Sequence, residues 1–394
     1  MRILQVISSF PPAYSYGGAL KTAYEISKQL VIDGHNVTVY TTDVYDENSR
    51  IDFEENPIIV DGMEVYRFRN ISNKLAYKNF PIAPSMAKSL KKNMHKFDII
   101  HLHEYRSFQA ILIHYYSKRN NIPYLIQPHG STINIMGMSK LKNLFDITIG
   151  HKILKDASKV IALNERECNI IKKFNVNPSD IKIIPNGISL SEFSNLPDKG
   201  NFRLKYGIKK HENLILYLGR IHKIKGIDLL VRTFAKLVND NIILVIVGPD
   251  GGYLQEIKKI VEEFGIKDKV IFTGPLYGSK KLEAYIDADL YVLPSIYETF
   301  PSTVLEACAC GTPVIVTDNC GISNIVNQNL GFKVRYDEIS LKVAIQTMLN
   351  NNKIRLNAVN NAKNLLKTRF NWIKIVKELE NIYFSEISNN RNSR

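Results

Sequence analysis

The stretch Glu298–Val316 reads ETFPSTVLEACACGTPVIV and places two carboxylates, Glu298 and Glu306, eight positions apart. Between them lies a Phe-Pro-Ser turn of the kind that opens a helix, and small residues continue to Gly311 before an apolar strand. The first N–H groups of a helix lack partners and form the positive end of its dipole, so such a turn favours an anion. Two carboxylates beside a helix mouth therefore indicate a site for phosphate and sugar hydroxyls, the groups that a nucleotide sugar presents.

A basic loop earlier in the chain, Leu218–Asp228 with the sequence LGRIHKIKGID, offers two cations to such a site. We expect a strand to end at Gly219, which leaves Arg220 and Lys225 at the carboxyl edge of a sheet. A cation about 4 Å from a leaving phosphate stabilises it by on the order of 4 kcal/mol at an effective dielectric of about 20. The pair would then replace a divalent metal in stabilising a departing nucleotide diphosphate. Two solvated loop cations are the alternative.

Length and composition indicate a globular protein of about two domains. The chain has 394 residues, of which 45% are hydrophobic and 23% charged. No apolar run approaches the roughly 20 residues that cross a bilayer, and residues 1–8 predict a first strand rather than a signal peptide. The four cysteines have no framework spacing, which suits a reducing compartment. We therefore expect a cytoplasmic protein.

Short apolar runs alternate with helical patterns along both halves of the chain, which is typical of doubly wound, Rossmann-like α/β domains. We expect an N-terminal domain over residues 1–187, a linker over 188–211 and a C-terminal domain over 212–370. A long amphipathic helix at about 371–390 is expected to pack back on the first domain. Two facing domains of this kind would leave a cleft, where loops at the carboxyl ends of the strands bind ligands.

These motifs together resemble family 4 of the retaining glycosyltransferases, which have the GT-B fold. The second domain matches with GRIHKIKG at 219–226 and PSIYETFPSTVLEACACGTPVIVTD at 294–318. The first domain adds GGA, HLHE, PHGS and PNGI, which lie at Gly17–Ala19, His101–Glu104, Pro128–Ser131 and Pro185–Ile188. The resemblance covers nearly the whole chain, and the motifs of the second domain are specific in combination.

The resemblance implies a role for each matching residue. Arg220 and Lys225 would bind the donor diphosphate, Glu298 would face the donor sugar, and Glu306 would bond the ribose hydroxyls. His129, which follows a strand, matches a histidine thought to contact the transferred sugar, so His129 and Glu298 are the expected catalytic residues. The other expected donor-binding residues are Gly17, Gly18, Leu276, Phe300, Ser302, Thr303 and Val304, where amides near Ser302–Val304 hold phosphate and Leu276 meets the nucleobase. Same-face attack is implied, with no protein nucleophile and neither metal nor other cofactor.

Several positions leave alternatives open. Thr303 and Glu306 have the spacing of a capping box, in which Glu306 satisfies a backbone N–H of its own helix. Pro301 stands where the family often has glycine, so it offers no N–H to a phosphate. The segment Cys320–Asn324 lacks the Gly and Glu that the family commonly has there, which puts its role in doubt. His101 and His103 share one face of a strand, where a metal is possible but packing is favoured.

The segment from Val65 to Phe97 has no acid, and its eight cations are Arg67, Arg69, Lys74, Lys78, Lys88, Lys91, Lys92 and Lys96. Four apolar residues share one face of the helix predicted within it: Met86, Leu90, Met94 and Phe97. Such a basic amphipathic helix would rest on an anionic membrane. The protein would then be peripheral on the inner face of that membrane. In the alternative, the apolar face packs on its own domain and the lysines are solvated.

The sequence therefore predicts a retaining, metal-independent glycosyltransferase. It would move a hexose-type sugar from a UDP or GDP sugar to a glycan or lipid-linked saccharide in cell-surface polysaccharide biosynthesis. A non-catalytic subunit that binds a nucleotide sugar, or a non-hydrolysing sugar-nucleotide epimerase, are the rival interpretations. No nucleic acid is expected as a partner, because the basic segment has no recognition motif.

Overall fold

The structure is a computed structural model, and it describes residues 1–14, 17–46, 48–77, 80–132, 139–237 and 241–392. Contacts divide the chain into two compact units. The first unit comprises Met1–Gly187 together with Trp372–Arg394, and the second comprises Ile188–Asn371. Each unit has a central, mostly parallel sheet with helices on its faces, which confirms the predicted doubly wound α/β class.

The sheet of the first unit contains eight described strands. They are β1 (Arg2–Val6), β2 (Asn36–Thr42), β3 (Ile58–Val60), β4 (Met63–Phe68), β5 (Ile99–His103), β6 (Tyr124–Gln127), β7 (Lys159–Ala162) and β8 (Ile181–Ile183). Their spatial order is β3-β4-β2-β1-β5-β6-β7-β8, and all neighbours are parallel except β3 and β4. The order reverses at β1, so the crevice beyond the carboxyl ends of β1 and β5 is the expected place for a ligand.

The helices that cover this sheet begin at α1. They are α1 (Gly18–Ile32), α2 (Asn73–Tyr77), α3 (Ser85–Asn93), α4 (Phe108–Asn120), α5 (Ser139–Phe145), α6 (His151–Lys155) and α7 (Glu165–Lys172), with a π-helical turn at Asp146–Gly150. Residues of α3, α4 and α6 share one buried apolar cluster on one face of the sheet. Tyr105, in the loop that follows β5, belongs to the same cluster.

The second unit has a six-stranded, all-parallel sheet within its described residues. Its strands are β9 (Asn213–Leu218), β10 (Ile242–Val247), β11 (Val270–Gly274), β12 (Leu290–Leu293), β13 (Val314–Thr317) and β14 (Gly331–Val334). Its helices are α8 (Asn201–Lys205), α9 (Ile227–Ala235), α10 (Leu254–Glu263), α11 (Gly278–Asp287), α12 (Ser302–Ala309), α13 (Ser323–Ile325), α14 (Glu338–Asn350) and α15 (Asn352–Thr368). The strand order β11-β10-β9-β12-β13-β14 reverses between β9 and β12, which is the switch point where α/β sheets bind ligands.

The last helix, α16 (Trp372–Asn392), belongs to the first unit. It packs beside α1 and buries Trp372, Val376 and Tyr383 in the apolar cluster of that face. Each such side chain stabilises the fold by about 1.5–3 kcal/mol when it is fully buried. The Tyr383 hydroxyl also contacts His101 Nδ1 at 2.6 Å, which ties the end of the chain to β5.

The segment 188–211 is not a free linker, because it packs as part of the second unit. Its helix α8 is held by Asp287, whose carboxylate accepts the backbone N–H of Gly200 at 2.6 Å. The guanidinium of Arg203 forms an ion pair with Asp289 at 2.7 Å. Most side chains of the segment are exposed, as its polar composition predicts, but these contacts attach its backbone to the second unit.

The apolar face of the basic segment packs on its own domain. Met86, Leu90, Met94 and Phe97 are buried in the core, at 0%, 0%, 0% and 8% exposure. The side chains of Lys88, Lys91, Lys92 and Lys96 are exposed, as are those of Arg69 and Lys74. Arg67 is not part of this face, since it is 2% exposed and donates to the Pro11 carbonyl. Lys78 lies outside the described residues. None of the described helices is long and apolar enough to cross a membrane.

Candidate active site

The loops at the switch point of the second unit bring a cation and a carboxylate together. Lys225 lies in the loop after β9, and Glu298 lies in the loop after β12. Their side chains form an ion pair through Nζ and Oε1 and are 20% and 14% exposed. The residue that the sequence predicts for the donor diphosphate and the residue that it predicts for the donor sugar are therefore in direct contact.

Backbone contacts hold these two loops against each other. The N–H of Ile296 donates to the carbonyl of Ile224 at 2.9 Å. Gly226 has φ +63° and lies so close to the carbonyl of Pro294 that a Cβ would overlap it. His222 begins the turn that carries Lys225, and its Nδ1 accepts the N–H of Ile224 at 3.2 Å. Glycine at 226 is required both by the left-handed backbone and by the close approach.

The loop after β13 supports Glu298 from the other side. The N–H of Gly321 donates to the Glu298 carbonyl at 2.8 Å, and the Glu298 N–H donates to the Asn319 carbonyl at 3.4 Å. The Thr317 hydroxyl reaches the Ser295 carbonyl at 2.5 Å. The segment Cys320–Asn324, whose departure from the family left its role in doubt, thus contributes by fixing the backbone of Glu298.

Burial makes Lys225 an unusual cation. It lowers the pKa of the Lys225 ammonium to about 8, and the nearby positive charge of Arg220 acts in the same direction. Arg220 itself is exposed and follows β9 after Gly219. The contacting carboxylate of Glu298 favours the charged form of Lys225. A partly desolvated ammonium interacts with a phosphate more strongly than a solvated one does.

Helix α12 begins at Ser302, with Pro301 as its N-cap residue. The N–H of Val304 donates to the Pro301 carbonyl at 3.3 Å, so a phosphate would compete with this bond. Ser302 and Thr303 are half-buried, and N–H groups at these first two helical positions have no partner within a helix. The capping box is wrong, because Thr303 lies inside the helix and its hydroxyl accepts a hydrogen bond from Tyr291 at 2.8 Å.

Glu306 and Leu276 lie beside helix α11. The Glu306 carboxylate, 6% exposed, forms an ion pair with Lys281 at 3.0 Å and accepts a hydrogen bond from the Tyr285 hydroxyl at 3.3 Å. A ribose hydroxyl would therefore share this carboxylate with Lys281. Leu276 is half-buried between β11 and α11. Phe300 is 7% exposed and packs on Phe370, so only its backbone is available to a donor.

In the first unit, Gly17 and Gly18 are exposed at the start of α1. Gly17 has φ +92°, and no atom lies within 4 Å of the position that a Cβ would take at either glycine. The helix N-terminus is thus open to a close approach by an anion, as the sequence predicts. Their binding to a donor stays a prediction.

His129 is oriented by a chain of buried polar groups. Its Nε2 lies 2.9 Å from His103 Nδ1, and His103 Nε2 lies 2.8 Å from the side-chain oxygen of Gln5. Because the Gln5 oxygen only accepts, His103 carries its proton on Nε2, and His129 then donates from its own Nε2. This leaves His129 Nδ1 as an acceptor, and it has no hydrogen-bond partner among the described residues. Burial lowers the pKa of His129 to about 3, so the ring is neutral at physiological pH.

Two residues that the sequence did not single out shape the turn that carries His129. The carboxylate of Glu167, on α7, accepts the N–H of Gly130 at 2.6 Å and that of Leu163 at 2.8 Å. Arg106 donates to the carbonyls of Ser131 and Thr132. Nothing in the spacing pointed to either residue, because the turn lies 37 positions from Glu167 and 25 from Arg106.

Among the described residues, no third side chain completes a metal site with His101 and His103. No group of three or more His, Cys, Asp or Glu side chains in the described part of the chain could hold a metal ion. The two rings stack at 4.3 Å, and each makes a separate hydrogen bond, to Tyr383 and to Gln5. They are buried structural histidines, as the sequence favoured.

Comparison with known proteins gives the family. Residues 16–192 match the family described as glycosyltransferase family 4, and residues 198–365 match glycosyl transferases group 1. The chain is 30% identical to an uncharacterized glycosyltransferase of Methanocaldococcus jannaschii, across 97% of this chain and 98% of that relative. The chain belongs to the family 4 glycosyltransferases.

Two further similarities bear on this family 4 glycosyltransferase. It is 26% identical to the UDP-Gal:alpha-D-GlcNAc-diphosphoundecaprenol alpha-1,3-galactosyltransferase of Escherichia coli, over 82% of each chain. Its fold is similar to that of the Anabaena protein HepE, solved in complex with UDP and glucose, with a TM-score of 0.77. That likeness covers 98% of this chain and 100% of the other at 19% identity, which supports the GT-B fold.

Within the second unit, the structure brings several of the predicted residues of the glycosyltransferase together. Lys225, Glu298 and the start of α12 lie on adjacent loops at the switch point of the second unit. Glu306 is one helical turn further into α12, with Lys281 as its partner. Their roles in donor binding stay predictions.

Proposed function

We propose that this glycosyltransferase transfers a hexose-type sugar, with retention of configuration, from a UDP or GDP sugar to a glycan or lipid-linked saccharide. Cell-surface polysaccharide biosynthesis is the process that uses such a product. The observation that carries the proposal is the contact between Lys225 and Glu298 beside the mouth of α12. The similarity to a relative whose name includes UDP-Gal and a diphosphoundecaprenol acceptor supports the choice of substrates.

The residues of the second unit are suited to hold a donor. The diphosphate lies against Lys225 and Arg220, while the N–H groups of Ser302 and Thr303 bind phosphate oxygens. Lys225 then exchanges its ion pair with Glu298 for the diphosphate, which frees the carboxylate to accept hydrogen bonds from sugar hydroxyls. Because negative charge grows on the diphosphate as the glycosidic bond breaks, these donors stabilise the transition state more than the ground state.

We propose same-face attack without a covalent intermediate. The acceptor oxygen bonds to the anomeric carbon on the face that the diphosphate leaves, and its proton passes to a phosphate oxygen of the leaving group. Glu298 orients the sugar and is not a nucleophile. His129 accepts a hydrogen bond from a substrate hydroxyl through Nδ1. Lys225 and Arg220 supply the positive charge that a divalent metal supplies elsewhere, so the reaction needs no metal ion.

Turnover of a panel of UDP and GDP sugars with lipid-linked and soluble saccharide acceptors tests the proposal. We expect one donor to be consumed with an acceptor present, an unchanged rate in EDTA, and a product whose NMR coupling constant shows the retained anomer. Lys225→Ala and Glu298→Gln should lower kcat/KM by at least about 100-fold. Lys223→Ala, at an exposed lysine two positions away, is the matched control. An inverted product, or full activity in both variants, would overturn the mechanism.

Two rival functions give different results in the same assay. A subunit that only binds a nucleotide sugar would raise the melting temperature with its ligand, by mass action, and form no product. An epimerase would convert the sugar nucleotide without any acceptor. Release of free nucleoside diphosphate that depends on the acceptor supports transfer and excludes both.

Contact with an anionic membrane is part of the proposal, in a form that the structure modifies. The apolar residues of α3 are buried, so this helix offers only charge, through Lys88, Lys91, Lys92 and Lys96. Each lysine near an anionic surface contributes roughly 1 kcal/mol at low ionic strength. Binding through α3 alone would therefore disappear at high salt.

A further inference from the structure

The residue that directly follows β5, Glu104, has a strained backbone, and the proposed mechanism gives it no role. Its φ is +73°, in the left-handed region that is disfavoured for any residue with a Cβ. Its N–H donates to the Gln127 carbonyl at 2.9 Å, so the end of β6 holds this conformation. Glycine would adopt it without strain, and backbone strain of this kind concentrates at functional sites. A glutamate at this position therefore indicates a use for its side chain.

The turn after β6 has the same feature at its own strained residue, His129, whose φ is +53°. The two loops are joined on both sides of Glu104. The Tyr105 N–H donates to the Ser131 hydroxyl at 3.1 Å, and the ring of His103 stacks on that of His129 with 5.2 Å between the centroids. Glu104 thus lies between two residues that contact the turn of His129, and the two strained residues belong to neighbouring strand ends.

The carboxylate of Glu104 is half-buried beside Ser8, and no cation of the described residues compensates it. Burial raises the pKa of Glu104, and the hydroxyl and N–H of Ser8 oppose the shift. Ser8 is 5% exposed, and its carbonyl is held by the Thr42 hydroxyl at 2.6 Å. The Ser8 hydroxyl has no partner of standard hydrogen-bond geometry among the described residues, so its contact with Glu104 is loose. Donors from a ligand would offset the cost of leaving these polar groups poorly paired.

Ser8 and Glu104 follow two neighbouring strands, β1 and β5, of the first sheet. The strand order reverses there, and such a switch point is where α/β sheets bind ligands. The chemistry of the pair restricts the ligand. A carboxylate accepts several hydrogen bonds and repels anions, while a hydroxyl both donates and accepts. Hydroxyl groups of a neutral sugar fit these two partners, whereas a diphosphate does not.

We propose that Glu104 is an acceptor-binding residue, whose carboxylate accepts hydrogen bonds from hydroxyl groups of a neutral acceptor saccharide beside the Ser8 hydroxyl. Glu104 then helps to select the acceptor. A saccharide without those hydroxyls leaves the carboxylate unpaired, and a saccharide with a carboxylate at that place is repelled. The inference rests on the proposed function, of which it specifies the acceptor site. It assigns Glu104 to the acceptor because the cations proposed for the donor diphosphate, Arg220 and Lys225, belong to the second unit.

Initial rates with the donor and the acceptor varied separately test the proposal. The acceptor probes are alkyl glycosides of neutral hexoses and of the matching hexuronic acids. We expect the natural protein to prefer a neutral glycoside to its hexuronoside by at least about tenfold in kcat/KM, because like charges repel. Glu104→Gln should lower kcat/KM for the neutral glycoside by about tenfold or more and reduce the preference, with little change in the KM of the donor. Glu165→Gln, at an exposed carboxylate of the same unit, is the matched control and should have natural kinetics.

The strained backbone provides a second measurement at the same position. Glu104→Ala removes the carboxylate and keeps the left-handed backbone, whereas Glu104→Gly removes both the carboxylate and the strain. The Tm of Glu104→Gly should exceed that of Glu104→Ala by about 2 °C, and both variants should lose acceptor use to a similar extent. A side chain that serves only the fold would give the opposite pattern, with a lowered Tm in both variants and natural kinetics.

Three outcomes separate this inference from the proposed function. If the natural protein transfers sugar and Glu104→Gln has the same kcat/KM for the acceptor, the role of Glu104 is wrong and the proposed function stands. If the variant raises the KM of the donor instead, Glu104 contacts the donor and the inference is again wrong. If the natural protein transfers sugar to no saccharide, the proposed function itself fails, and the acceptor site fails with it.

Discussion

The carboxylate of Glu167 accepts the backbone N–H of Gly130 at 2.6 Å and thereby fixes the turn that carries His129. The same carboxylate accepts the N–H of Leu163 at 2.8 Å, so it joins the loop after β6 to the loop after β7. Glu167 is fully buried, and burial raises its pKa to about 6, although the two N–H groups oppose the shift. A buried carboxylate that serves two loops is a positioning residue for His129, whose backbone has φ +53°.

Glu167→Gln should destabilise the protein, because its amide accepts one N–H and turns an NH₂ group toward the other. We expect the free energy of unfolding to fall by about 1–3 kcal/mol at pH 7. The pKa of Glu167 rises on folding from 4.5 to about 6, so its contribution to stability is full below pH 4.5 and is lost as the pH rises through 6. The difference in the free energy of unfolding between the natural protein and the variant should therefore grow by about 2 kcal/mol from pH 7 to pH 4. Urea unfolding at both pH values measures this difference. A smaller difference at pH 4 than at pH 7 would contradict the raised pKa of Glu167.

The local sequence predicts the position of Glu298 in the fold but not that of Glu167. Apolar runs predict strands at Leu214–Leu218 and Leu290–Leu293, and the structure has strands at Asn213–Leu218 and Leu290–Leu293. The loops after these two strands carry Lys225 and Glu298. These loops directly follow strands that the local sequence pattern predicts, so their positions in the fold can be predicted too. The contacts of Glu167 depend on how two crossover connections fold back, which no local pattern encodes.

Edge strands and polar packing show the same limit. The strands β3 and β4, at 58–60 and 63–68, were not predicted, since one is only three residues long and the other contains the charged residues Glu64 and Arg67. The polar segment at 188–211 became part of the second unit because Asp287 accepts its backbone N–H groups. Propensity cannot anticipate a partner that lies 87 positions away.

The low pKa of Lys225 predicts a pH limit on donor use. The ammonium is charged below its pKa of about 8 and loses its charge above it, whereas a diphosphate is bound only by the charged form. The kcat/KM for the donor, which reports the free enzyme, should fall about tenfold per pH unit above pH 8. A bound diphosphate stabilises the ammonium, so kcat should decline only at higher pH. Lys225→Arg keeps the charge at all these pH values, and if its profile still falls at pH 8, another group is responsible.

His103→Phe should disturb His129 without touching the substrate. The variant removes the Nδ1 atom that accepts from His129 Nε2 at 2.9 Å, so the His129 ring no longer has a fixed tautomer. We expect kcat to fall by about tenfold or more, with a smaller change in the KM of the donor. His101→Phe is the control, because His101 is equally buried but bonds to Tyr383 instead. Similar losses of kcat in both variants would indicate general destabilisation rather than orientation of His129.

Gly226→Ala should separate the two loops that join Lys225 to Glu298. A Cβ at 226 overlaps the carbonyl of Pro294, and the backbone has φ +63°, so both the left-handed conformation and the overlap are penalised. The expected loss in the free energy of unfolding is about 3 kcal/mol or more, together with a higher KM for the donor.

Gly207→Ala is the matched control for Gly226→Ala. Gly207 lies in the same unit with φ +68°, but no atom lies within 4 Å of the position of its Cβ. The free energy of unfolding of Gly207→Ala should therefore fall only by the cost of the left-handed backbone, about 1–2 kcal/mol. Its KM for the donor should equal that of the natural protein. The difference between the two variants isolates the close approach of Gly226 to Pro294. If that difference vanishes, the approach of these loops does not hold Lys225 against Glu298, and the ion pair must be maintained by the side chains alone.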